Sequence, residues 1–78
     1  MTTEVLEYLA KSLVDHPDEV RVTEAEDEGG ELILELRVHP DDMGKVIGKR
    51  GRTAKAIRTM VKAAGTREGT QATVEIVE

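Results

Sequence analysis

Two glycines bracket two basic residues at Gly48-Lys49-Arg50-Gly51, the segment of this 78-residue chain best suited to chemistry. Glycine has no Cβ, so another molecule's backbone can approach such a loop closely. A helical pattern begins near Arg52. The first N–H groups of a helix have no intrahelical partner, and the positive end of its dipole lies there. That end attracts phosphate, and Lys49 and Arg50 add full charges at the same place. The spacing predicts a seat for a sugar-phosphate backbone, with adjacent aliphatic side chains, Ile47 foremost, receiving bases.

Charge is distributed accordingly. The formal net charge is −5, yet between Met43 and Arg67 there is no Asp or Glu and there are eight basic residues. A chain polarised in this way can attract a polyanion while the rest stays acidic. Arg52, Lys55, Arg58 and Lys62 recur on one helical face. One face cannot point wholly into a groove, and about half of these are expected to act only at long range. The expected nucleic-acid-binding set is Ile47, Gly48, Lys49, Arg50, Gly51, Arg52, Lys55 and Arg58. There is no Phe or Trp, and Tyr8 is the only aromatic residue. Stacking platforms of the RRM or OB type are nearly excluded, leaving backbone, charge and aliphatic surface to do the binding.

Other chemistries fare worse. Gly44-Lys45-Val46-Ile47-Gly48-Lys49 has three residues between its glycines where a nucleotide-binding P-loop needs four, and Arg50 stands where Ser or Thr must hold magnesium. His16 and His39 read as isolated from one another and from any cysteine, so metal and acid–base roles lack partners. His16 reads as a turn residue and His39 as a loop or cap residue. Asp41 and Asp42 are better explained as helix caps than as a paired carboxylate. No catalytic residue, metal or cofactor is expected.

The elements that must position the loop follow from periodicity. Val5, Leu6, Leu9, Ala10 and Leu13 recur at helical spacing, with Thr3 as N-cap, predicting a helix over 3–14 that Pro17 prevents from continuing. Alternation predicts strands at about 19–26, 31–38 and 71–77, the first two joined by a turn at Gly29-Gly30. Helices are expected over 41–47 and 52–64, flanking the loop at 48–51, with Ala54, Ile57, Val61 and Ala64 facing inward and Gly65 as C-cap. The order α-β-β-α-α-β implies a two-layer α+β domain, a three-stranded sheet with helices on one face, spanning 1–78.

Ile47-Gly48-Lys49-Arg50-Gly51, followed by an aliphatic-rich helix with Ile57, resembles the KH-domain signature. The element order is that of the type II KH fold. Asp42-Met43-Gly44-Lys45-Val46-Ile47-Gly48-Lys49 and Ala54-Lys55-Ala56-Ile57-Arg58 further resemble the KhpA family of small bacterial single-KH proteins, across nearly the whole chain. Ala54 departs from the general pattern, where a larger aliphatic is usual, which implies a shallower groove floor. The resemblance implies a single-stranded RNA ligand of about four nucleotides, no enzymatic activity, and a role as RNA chaperone or post-transcriptional regulator. It also implies self-association into a homodimer and pairing with a larger RNA-binding protein of the KhpB (Jag, EloR) kind. The rival reading is a protein–protein adaptor on the same scaffold, with RNA binding incidental.

The chain has no cysteine, hence no disulfide or thiolate metal site. No stretch approaches the roughly 20 apolar residues of a membrane span, and no signal peptide is visible. The expected location is cytoplasmic.

Overall fold

A computed structural model describes residues 2–78. The chain runs as α1 (Thr2–Leu13), β1 (Arg21–Glu26), β2 (Leu32–Arg37), α2 (Met43–Ile47), α3 (Arg52–Arg67) and β3 (Ala72–Ile76), with short 3-10 turns at Pro17–Glu19, Pro40–Asp42 and Lys49–Gly51. This is the α-β-β-α-α-β order read from periodicity. The sheet order is β1-β2-β3. β1 pairs antiparallel with β2, Val22 opposite Leu36, and β3 pairs parallel with β2, Val74 opposite Leu34.

Alternation puts one face of every strand under the helices. Leu34, Leu36 and Val74 from the sheet meet Leu6 and Ala10 of α1, Val46 of α2, and Ile57 and Val61 of α3 in one aliphatic core. Leu6, Leu34, Leu36, Val46 and Val61 are fully buried. Each contributes about 1.5–3 kcal/mol relative to remaining in water. Leu13 does not join them; it lies at the last turn of α1 and is exposed.

Two local expectations are corrected. Thr3 is not the cap of α1, which already includes Thr2; its hydroxyl donates instead to Glu24 of β1. Thr2 ties the start of α1 to the end of α3, its hydroxyl 2.5 Å from Glu68 Oε1. Gly65 is not the C-cap of α3, which continues to Arg67 and is capped at Glu68. Gly65 is buried because the chain returns over it: a Cβ there would lie 2.9 Å from the Thr70 carbonyl and 3.2 Å from Ala72 Cβ. The acidic stretch from Glu24 to Glu28 is exposed, and its first three residues belong to β1.

The face of the sheet away from the helices carries two like-charged neighbours: Arg21 opposite Arg37, and Glu35 opposite Glu75.

Candidate nucleic-acid interface

Gly48 ends α2 with φ 77° and ψ 172°, a conformation essentially reserved for glycine. Its N–H donates to the Gly44 carbonyl at 2.8 Å. A Cβ on Gly48 would collide with Thr53 Oγ1 and lie 2.9 Å from the Thr53 nitrogen. The loop is therefore drawn tightly against the first turn of α3. Arg50 (φ 58°) and Gly51 (φ 73°) both take left-handed backbone, and Gly51 donates to the Gly48 carbonyl at 3.1 Å. Nothing lies within 4 Å of a Cβ built on Gly51, so that glycine is required by backbone conformation and not by space.

Gly51 is the N-cap of α3, and no side chain caps it. The first N–H groups of a 16-residue helix are thus left without a side-chain acceptor beside two exposed cations, Lys49 and Arg50. Neither cation has an acidic partner among the described residues. Ile47 stands 39% exposed at the edge of the loop, whereas Val46 beside it is wholly buried. Lys45 is drawn away by an ion pair to Asp15 at 3.2 Å.

Arg52 and Lys55 project from α3 into solvent. Arg58 reaches across to β3, its Nε donating to the Val74 carbonyl at 3.3 Å. There, a cavity of about 550 Å³ runs between α3 and the free edge of β3. Arg58, Lys62 and Thr66 form one wall and Gln71 to Val74 the other, with Glu31 alongside. The strand's inward bonds are marked by Leu32 N–H to the Gln71 carbonyl and Val77 N–H to the Leu36 carbonyl, both 2.9 Å. Successive residues of a strand alternate between its two neighbours. The backbone groups of Ala72 and Val74 therefore turn outward, toward the cavity. Ala54, in the first turn of α3, is buried.

The expected set is thus divided. Ile47 to Arg52 gather at the amino end of α3, Lys55 lies between, and Arg58 belongs to the cavity. Sequence reasoning missed Lys62, Thr66, Gln71, Thr73 and Glu31 as cavity residues. Lys62 carried a signal, its four-residue spacing from Arg58. Glu31 and Thr73 meet only through the pairing of β2 with β3, which no local pattern announces.

The support of α2 also differs from expectation. His16 and His39 are not isolated: their rings stack, centroids 4.0 Å apart and 13° between planes. Asp42 holds the N-cap position of α2, but its side chain makes no capping bond and is instead a fully buried acceptor. It takes the backbone N–H groups of Asp15 and His16 at 3.2 and 2.9 Å, and His16 Nδ1 at 3.0 Å. Burial is the largest single influence on Asp42 and opposes its charge, but the hydrogen bonds from His16 and Asp15 together hold its pKa below the ordinary value. The bond to Asp42 in turn raises the pKa of His16. His39 does serve as a cap, its Nδ1 accepting the Asp41 N–H at 3.0 Å. Among the described residues no group of three or more His, Asp or Glu could hold a metal, and no helix is long and apolar enough to cross a membrane.

Residues 3–76 match the family model described as KhpA/KhpB, KH domain. The chain is 60% identical over 74 residues to the RNA-binding protein KhpA of Clostridium acetobutylicum, covering 95% of this chain and 97% of that one. It is 55% identical to the protein of the same name from Halalkalibacterium halodurans, covering 95% and 96%. Among solved structures it resembles Era in complex with MgGDPNP and nucleotides 1506–1542 of 16S ribosomal RNA, with TM-score 0.66 and 19% identity. That match covers 96% of this chain but only 28% of Era, and it speaks to the fold alone.

Proposed function

The chain belongs to the KhpA/KhpB KH-domain family, and from that premise we propose that it is a non-catalytic single-stranded RNA-binding protein. The loop Gly48-Lys49-Arg50-Gly51 holds the RNA backbone, and the surface from Ile47 along α3 to the edge of β3 takes about four nucleotides. Arg52, Lys55 and Arg58 supply further positive charge. The observation that carries the reading is the amino end of α3: a helix start with no side-chain cap, approached by a loop without side-chain bulk, and flanked by two cations that have no acidic partner among the described residues. The role is post-transcriptional, as an RNA chaperone or regulator in the cytoplasm.

The test is the double variant Lys49→Asp, Arg50→Asp. Both side chains are exposed, so the circular-dichroism spectrum and melting temperature stay near wild type while single-stranded RNA binding is lost. Wild-type binding by that variant would remove the loop from the function.

So small an interface binds weakly, on the order of micromolar, and useful affinity requires a second module at high effective concentration. We extend the proposal to a second copy of this chain and to a KhpB-like protein. In support, an apolar cavity of about 470 Å³ lies between α1 and α3, lined by Val5, Met60, Ala63 and Ala64 among others. Tyr8 and Met60, on the same two helices, are 73% and 52% exposed. This surface also favours the adaptor reading. Recovery of the same protein partners after RNase treatment would make pairing the main role, and their loss would make RNA the bridge.

A further inference from the structure

We propose that Glu31 is a specificity-determining residue of the groove, selecting bases that carry an exocyclic amino group over uracil. The inference rests on the RNA-binding reading and deepens it. It comes from the cavity between α3 and β3, where Arg58 and Lys62 stand on one wall and the Glu31 carboxylate alongside the other.

These opposite charges do not satisfy each other. Glu31 forms no ion pair with Arg58 or Lys62, and the bond its carboxylate makes is with Thr73, whose hydroxyl donates to Oε2. The residue is also held in place. Its N–H donates to Asp27 Oδ1 at 2.8 Å, and its carbonyl accepts the Asp27 N–H at 3.0 Å. Half-buried, fixed at the backbone on both sides and tethered at one oxygen, the carboxylate needs little ordering to meet a ligand.

A carboxylate in the path of a polyanion weakens every strand alike by repulsion. It gains only from a donor on the ligand, because an ionised carboxylate is acceptor-only. Cytosine N4, adenine N6 and guanine N2 offer that donor. Uracil presents carbonyl oxygens on both sides of its single N–H and is repelled at both. The cavity thus has the two halves of a nucleotide's complement: cations for phosphate and an acceptor for an amino-bearing base edge.

The experiment measures binding of the oligoribonucleotides C8, A8 and U8 to the full chain and to Glu31→Gln by fluorescence anisotropy at one salt concentration. Wild type is expected to prefer C8 or A8 over U8 by about tenfold. The glutamine, with both a donor and an acceptor, brings the three within about twofold. Equal tightening of all three by Glu31→Gln would reduce the residue to plain repulsion and overturn the assignment, as would an unchanged preference. A wild-type chain that binds none of the three overturns the RNA reading itself. Backbone amide shifts at Glu31 and Thr73 test the same point without a substitution: they move on addition of C8 and stay still with U8, and equal movement with both counts against the proposal.

Discussion

Thr53 fills the space in which a side chain of Gly48 would lie. Its Oγ1, Cβ and backbone nitrogen all fall within 3.0 Å of a Cβ built there. Gly48→Ala is therefore expected to cost about 3 kcal/mol, strain and clash together. Gly51→Ala, with open space around it, costs about 1 kcal/mol for left-handed backbone alone. Adding Thr53→Ala does not rescue Gly48→Ala, since the Thr53 Cβ at 2.6 Å and nitrogen at 2.9 Å remain. Urea unfolding of the three variants beside wild type checks the ranking.

Arg50 holds left-handed backbone that a glycine would adopt without strain. Arg50→Gly should stabilise the chain by about 1 kcal/mol while weakening RNA binding. Opposite signs for stability and affinity are the expected mark of a residue kept for its charge. The logarithm of affinity should fall by about 0.7 per log unit of salt for each phosphate neutralised, and Arg50→Gly should reduce that slope by about one such step. Thermal melts and a salt titration measure the two effects.

His16 and Asp42 make stability depend on pH in a defined direction. Hydrogen bonding to Asp42 raises the His16 pKa, so its contribution is complete below the ordinary histidine value, about 6.5, and is lost as pH rises through the folded value. Burial opposes the charge on Asp42, but its hydrogen bonds prevail and lower the pKa, so its contribution is complete above the ordinary carboxylate value and lost as pH falls through the folded one. The melting temperature should peak between about pH 5 and 6 and decline toward pH 8. His16→Asn should flatten that decline. Asp42→Asn should lower the melting temperature across the range, because two backbone N–H groups lose a charged acceptor.

On the open face of the sheet, Glu35 lies directly opposite Glu75. Like charges in that position destabilise, so Glu75→Lys should stabilise by about 0.5 kcal/mol. The gain should shrink in high salt, because both groups are screened. Denaturant melts at two salt concentrations measure both the gain and its loss.

Helices and strands were legible because their apolar residues repeat at fixed periods: Leu34, Leu36 and Val74 alternate, and Leu6 and Ala10 recur one helical turn apart. The two-glycine loop was legible because glycine and charge are local signals. The His16–His39 stack was not, since 23 positions separate residues that only the fold brings together. Asp42 looked like a cap because capping is the commonest local use of an aspartate before a helix, and burial is a tertiary fact. Gly65 looked like a helix end for the same reason; the returning strand, which needs its bare backbone, lies several residues further on. Glu31 and Thr73 were invisible as neighbours until the register of β2 with β3 was known.

That β3 runs in the same direction as β2 has a consequence for folding. Parallel strands require a crossover, and here it contains α2 and α3. The β1–β2 hairpin can close on neighbouring residues, whereas β3 can add its edge only once both helices have crossed the sheet. The last strand is therefore the non-local and slow step, and the cavity between α3 and β3 exists only in the finished molecule.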